Sequence, residues 1–215
     1  MGIMAKVFTN LNGLVSDLMR ADEIDKDKLL HDLQSLRGSL SFIEAQLKDI
    51  QLLFKSSKQR RRDIRVKETV EKVERIYARL LQKEKISLTI NTIGSPLVAK
   101  ATDAVLLQML LNLFDNSVYW LTQISIPNRE IIITLNGNKG QMIFADNGPG
   151  INKDDVPYIF EPFYSGKGEE GRGLGLYIAR QLLERLDYNI ELAQIKSDKV
   201  LSGANFIVSF FSEEE

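Results

Sequence analysis

An apolar seam of unusual regularity runs through the first quarter of the chain. Leu29, Leu33, Leu36, Leu40, Ile43, Leu47, Ile50 and Phe54 follow one another in alternating steps of four and three residues. That is the period of a coiled coil or an antiparallel bundle, sustained for about three and a half heptads. A helix with this pattern cannot bury its seam alone. A shorter stripe, Ile3, Val7, Leu11, Leu14 and Leu18, precedes it, and the polar, capping-rich run Ala21 to Asp27 turns the chain between them. The first sixty residues hold no proline and only three glycines, so the spacing predicts an all-α helical hairpin over residues 1–62. Two short helices leave the seam half covered, and a second copy of the chain is expected to complete a four-helix bundle.

Composition matters here for what it excludes. There is no cysteine, which removes disulfides, thiolate nucleophiles and cysteine-ligated metals and suits a reducing, cytoplasmic setting. The one histidine, His31, is too little for a histidine-rich metal site. A net charge of -1, from 28 basic and 29 acidic residues, gives no global footprint for nucleic acid. The cationic run Lys55 to Arg62 has no interleaved aromatic residue, so it reads as a solvated helix end whose cations suit the C-terminal dipole. No apolar run approaches the roughly 20 residues of a membrane span, and the N-terminus lacks the order of a signal peptide.

Beyond Asp63 the pattern becomes mixed. Val66, Val70, Val73, Tyr77 and Leu80 sketch a helix, and Ile86 to Ile90 alternate as a strand before the turn Gly94-Ser95-Pro96. Residues 103–123 read as an apolar helix capped by Thr102 or Asp103. Glu130 to Leu135 and Gln141 to Ala145 form strands around Asn136-Gly137-Asn138-Lys139-Gly140. Gly173 to Leu186 is helical again, and Asn189 to Ala193 and Ala204 to Phe211 close the chain as strands. Helices on one face of a mostly antiparallel sheet make an α+β domain over 63–215, a two-layer α/β sandwich.

Four local features carry chemistry. Asn112 and Asn116 lie four apart, hence on one face, among Leu110, Leu111, Leu113 and Phe114. Burying such amides is costly without partners; bound magnesium with phosphate, or neighbouring backbone groups, would both serve. Asp146-Asn147-Gly148-Pro149-Gly150 follows a strand as a tight turn whose aspartate can accept hydrogen bonds from a base edge or from backbone amides. Phe160-Glu161-Pro162-Phe163 leads into a polar, glycine-bearing stretch, Tyr164 to Arg172, which is either a surface loop or a lid. Last comes Gly171-Arg172-Gly173-Leu174-Gly175-Leu176, where closely spaced glycines open a helix and let backbone amides approach phosphate.

In this order, and with Gly203-Ala204-Asn205-Phe206 before the last strand, these motifs resemble the N, G1, F, G2 and G3 boxes of the ATPase superfamily shared by gyrase, ninety-kilodalton heat-shock chaperones, sensor histidine kinases and mismatch-repair ATPases. The resemblance covers residues 63–211 and implies a Bergerat-type ATP-binding fold with ATP and Mg2+ as cofactors. It implies that Asn116 is the magnesium ligand, with Asn112 beside it on the phosphate side, and that Asp146 accepts from the adenine amino group. Gly148 and Gly150 would pass close to the base. Phe160 and Phe163 would hinge the lid. Lys167 and Arg172 would reach phosphates, and Gly171, Gly173, Leu174 and Gly175 would line them with backbone.

Two departures refine this. Family members that activate water carry a glutamate where this chain has Asn112, and an amide cannot take a proton at neutral pH. Asparagine there is the histidine-kinase version, so the resemblance implies phosphoryl transfer to a histidine within a two-component system, with a response-regulator receiver protein as partner. Histidine kinases also often place a lysine three residues past the second asparagine, where Tyr119 stands here, followed by Trp120, which reads equally as core; a phosphate contact is then either lost or supplied from elsewhere, with Lys167 the candidate. The hairpin resembles the dimerisation and phosphotransfer module of such kinases. Its expected acceptor, a histidine before an acidic residue, is matched by His31-Asp32, although on the second helix rather than the first and without the usual proline. His31 lies off the seam, exposed, and a neutral exposed imidazole is nucleophilic; the alternative is an acceptor upstream of a truncated chain. Rival readings are an ATP-driven conformational switch of the same fold, a serine kinase of the anti-sigma type, and a scaffold with a decayed pocket.

Overall fold

A computed structural model describes residues 9, 11–13, 15–16, 27–34, 36–37, 40, 60–168, 171 and 173–210. The chain divides into two compact units, Met1–Leu52 and Leu53–Glu215. In the first unit the described residues are helical. Leu33 and Leu40, both on the seam, are 47% and 52% exposed in the single chain; Ile43, Leu47, Ile50 and Phe54 lie outside the described residues.

The second unit is the expected sandwich. Its elements are β1 (Arg62–Arg65), α1 (Val66–Glu84), β2 (Ile86–Ile93), β3 (Val98–Ala101), α2 (Asp103–Gln123), β4 (Arg129–Asn136), β5 (Gln141–Asp146), α3 (Gly175–Glu184), β6 (Asn189–Leu192) and β7 (Asn205–Ser209). The main sheet has the order β2-β4-β5-β7-β6. Only β2 and β4 run parallel, with α2 in the crossover; the other three pairings are antiparallel. Along β4 the inward Ile131, Ile133 and Leu135 are buried, while the residues between them are only partly covered. That one-sided alternation lets helices cover one face.

The core is held chiefly by α2. Leu106, Met109, Leu110, Leu113, Phe114 and Leu121 on this helix are wholly buried, and Phe114 stands between Tyr77 of α1 and Phe144 of β5, at 5.0 and 5.1 Å between ring centroids. Thr102 is the N-cap, its hydroxyl accepting from Val105 N at 3.3 Å; Asp103 instead takes a two-pronged bond from Arg62. Asn136 accepts from the amides of Asn138 and Lys139, both at 3.1 Å, which closes the β4–β5 hairpin.

Three sequence expectations are corrected. β1 and β3 form a small antiparallel sheet where no strand was expected. On α1 it is Leu81, 6% exposed, that enters the core, and Leu80 is 37% exposed. Helix α3 begins at Gly175, because Gly173 has φ +65°, a left-handed backbone that no helix interior allows. Among the described residues no helix is long and apolar enough to cross a membrane.

Candidate functional site

A cavity of about 710 Å³ opens beside α2 and is lined by residues from the paired asparagines, the Asp146 turn, the stretch after Phe163, the glycine cluster and the segment before the last strand; Phe160 to Phe163 do not line it. Its most buried carboxylate is Asp146, at the end of β5 and 3% exposed. The carboxylate accepts from Ser117 Oγ at 2.5 Å, Gly148 N at 2.9 Å and Ala204 N at 3.2 Å. Burial raises its pKa above the usual aspartate value, and the three hydrogen bonds oppose that rise. The surrounding backbone is packed so tightly that only glycine fits at position 203. A Cβ there would stand 2.6 Å from Asp146 O, Asp146 Oδ1 and Gly148 N. Asn205, fully buried, braces the same turn by accepting from Val200 N and Leu201 N and donating to the carbonyls of Leu201 and Gly203.

The two amides of α2 have different partners. Asn112 Nδ2 donates to Gly175 O at 2.8 Å and Asn112 Oδ1 accepts from Gln108 Nε2 at 3.2 Å, so this amide fastens the first turn of α3 to α2. Of the two partners foreseen for such amides, Asn112 thus takes the backbone one. Asn116 Oδ1 accepts from Lys167 Nζ at 2.8 Å. An amide oxygen already bound to a cation, at the cavity wall, is a donor of the hard kind that magnesium takes. Among the described residues there is no cluster of three or more His, Asp or Glu to cage a metal.

The glycine-rich segment behaves residue by residue. Gly171, Gly173 and Gly175 line the cavity, as does Gly150, which has φ +76°. Gly148 contributes its N–H to Asp146 rather than a lining surface. Leu174 turns its side chain into the core, at 2% exposure, which leaves only its backbone for a ligand. Arg172 lies outside the described residues. Phe160 packs on Phe206 at 6.3 Å, whereas Phe163 is 66% exposed with φ +68°, its amide donating to Gly173 O at 2.8 Å. His31, in the first unit, is exposed beside Asp32, 3.5 Å from Nδ1 to Oδ1.

Sequence reasoning missed Ser117, which reads as one more small residue in an apolar helix until its bond to Asp146 is seen. It missed the link from Tyr77 OH to the Asp115 carboxylate at the cavity rim, where burial and the carboxylate together push the phenol pKa far up. Tyr164 OH donates to Asp155 at 2.5 Å, and both residues line the cavity.

Comparison with known proteins agrees with this geometry. Residues 102–214 match the family described as histidine kinase-, DNA gyrase B-, and HSP90-like ATPase. The chain is similar to the sensor protein ChvG of Agrobacterium fabrum, 29% identical across 96% of this chain and 37% of that protein. It is similar to the autoinducer 2 sensor kinase/phosphatase LuxQ of Vibrio cholerae, 28% identical across 86% of this chain and 23% of LuxQ. The chain therefore spans well under half the length of these relatives. Among solved structures, histidine kinase ThkA in complex with response regulator protein TrrA is 20% identical with a TM-score of 0.63, covering 99% of this chain and 61% of that one. The catalytic domain of ThkA alone is 23% identical with a TM-score of 0.57, over 70% of this chain and 96% of that one. At these identities the structural likeness is one of fold.

Proposed function

Because the chain belongs to the histidine kinase-, DNA gyrase B- and HSP90-like ATPase family, and so carries an ATP-binding domain, we propose that it is the catalytic part of a sensor histidine kinase that moves the γ-phosphoryl group of ATP to a histidine side chain. The observation that carries this reading is one cavity holding a buried carboxylate, Asp146, and an amide oxygen on a cation, Asn116. The names of ChvG and LuxQ, a sensor protein and a sensor kinase/phosphatase, support it.

A carboxylate has about four lone-pair directions. Three protein donors occupy Asp146, which leaves one for the amino group of adenine; guanine presents a carbonyl oxygen there instead. The N–H groups of Gly173 and Gly175 and the ammonium of Lys167 face the phosphates; that of Gly171 donates to Gly168 O at 3.3 Å and would have to leave it to join them. Asn116 would hold magnesium through the amide oxygen that now accepts from Lys167. When bound, magnesium neutralises charge on the phosphate oxygens. The bond from the γ-phosphorus to its bridging oxygen breaks, a bond to an imidazole nitrogen forms, and ADP leaves with the electron pair. Positioning supplies most of the rate. Asn112 cannot act as a base toward water, which favours transfer over hydrolysis. The half-exposed seam of the first unit supports a homodimer, and a receiver protein takes the phosphoryl group onward, in the cytoplasm.

Incubation with γ-labelled ATP tests this. The expected label on the protein is acid-labile and base-stable, and His31→Gln removes it if His31 is the acceptor. Label that survives acid means serine transfer, and ATP turnover without label means a conformational switch. Asn116→Ala is expected to abolish the magnesium-dependent part of the rise in Tm that ATP produces.

A further inference from the structure

Lys167 is held by two contacts that bear on the site, among others. Its ammonium is 2.8 Å from Asn116 Oδ1, and it lies over the ring of Tyr119, 4.5 Å from the centroid. Tyr119 stands edge to face with Trp120 at 5.1 Å, and a Cβ on Gly166 would stand 3.4 Å from the Trp120 ring. The two seats differ in kind. Asn116 offers an oxygen that a divalent cation also takes, and an ammonium beside that cation is repelled. The Tyr119 ring has no affinity for hydrated magnesium but holds an ammonium through its quadrupole.

We propose that Tyr119 is a positioning residue, acting through Lys167: its ring keeps the lysine ammonium at the phosphate end of the cavity when magnesium takes the Asn116 oxygen. This rests on the nucleotide-binding reading above. The part proposed for Tyr119 is played by its ring, through Lys167. The consequence is selectivity for nucleotides with a full phosphate chain, because the cation that Tyr119 retains has nothing to meet on a bare nucleoside.

Calorimetric titration of the full chain with a non-hydrolysable ATP analogue plus magnesium, and separately with adenosine, tests the idea. Tyr119→Leu is expected to weaken the analogue by roughly fivefold and to leave adenosine unchanged, while Tyr119→Phe restores analogue affinity. In a Lys167→Met background, Tyr119→Leu is expected to have no further effect. The proposal is overturned if Tyr119→Leu weakens adenosine equally, if Phe fails to rescue, or if the loss persists without Lys167; any of these makes the ring a base platform or a packing group. A wild type that binds adenosine but not the analogue also overturns it, and one that binds neither overturns the nucleotide-binding reading beneath it.

Discussion

Replacing Asp146 by asparagine separates what this residue does for the fold from what it does for a ligand. In the native site the carboxylate is 3% exposed and takes three hydrogen bonds. An asparagine oxygen keeps the two backbone bonds from Gly148 and Ala204, and its amide donates to Ser117 Oγ, whose hydroxyl rotates to accept. No bond to protein is lost, and a buried anion is removed. The raised carboxyl pKa sets the sign of the pH effect. The folded chain holds this proton to higher pH than the unfolded chain, whose aspartate titrates near pH ~4. Stability from the protonated form is complete below that value and is lost as pH rises through the folded pKa. Asp146→Asn does not titrate, so its Tm relative to wild type is expected to be lowest in acid, to climb across that window and to be no worse than wild type at pH 7.

Ligand binding moves the other way. The lone pair proposed for the adenine amino group becomes an N–H, so an acceptor turns into a donor facing a donor. Loss of a hydrogen bond to a charged group is worth about 1.5–3 kcal/mol, which corresponds to roughly a 10- to 150-fold loss of affinity for an ATP analogue. The guanine analogue, with a carbonyl oxygen at that edge, is expected to lose little, so the ratio between the two collapses. Scanning calorimetry from pH 4 to 8 and titration with both analogues measure the pair of effects. A Tm lowered by several degrees at pH 7, or an unchanged ratio of the two affinities, refutes the assignment of Asp146 as a base-reading acceptor.

Gly203→Ala forces a methyl to within 2.6 Å of the Asp146 backbone and carboxylate; overpacking of this kind costs about 2 kcal/mol, so Tm is expected to fall by roughly 4–8 °C with nucleotide affinity falling alongside, both readable in one thermal-shift series. Tyr77→Phe keeps the ring stacked on Phe114 and removes only the donor to Asp115; a loss of about 1 kcal/mol is expected in denaturant unfolding, with the slope unchanged. Leu33→Glu with Leu40→Glu places charges on the exposed seam; sedimentation is expected to show a monomer in place of a dimer, with the spectrum of the second unit unaltered.

The elements legible in the sequence were those whose reasons are local. The helix α2 announced itself through 21 residues of apolar spacing and a threonine cap, and the β4–β5 hairpin through an asparagine turn that bonds its own backbone. β1 and β3 were not legible, because each is four residues long and has its reason in the other, with Ile64 set against Ala99. Leu80 and Leu81 were indistinguishable until the sheet fixed which side of α1 is inside. Gly173 and Gly175 read alike as helix residues, yet a Cβ on Gly173 would meet the Phe163 backbone at 2.4 Å while Gly175 has room.

The amides carry the same lesson into the site. A polar residue in an apolar run signals that a partner exists, since burial without one is too costly. It does not say which partner. Asn112 and Asn116 are equivalent by spacing, but one meets a backbone carbonyl 63 residues away and the other an ammonium 51 residues away. Only the second leaves an oxygen that a metal can claim by displacing a cation. Ser117, between them in role if not in spacing, gave no signal at all: a serine that faces inward costs little to overlook, because its hydroxyl can bond its own helix, and its function lies wholly in the carboxylate 29 residues further on. Site residues are thus foreseeable where their chemistry is expensive to bury, and they become invisible as that expense falls.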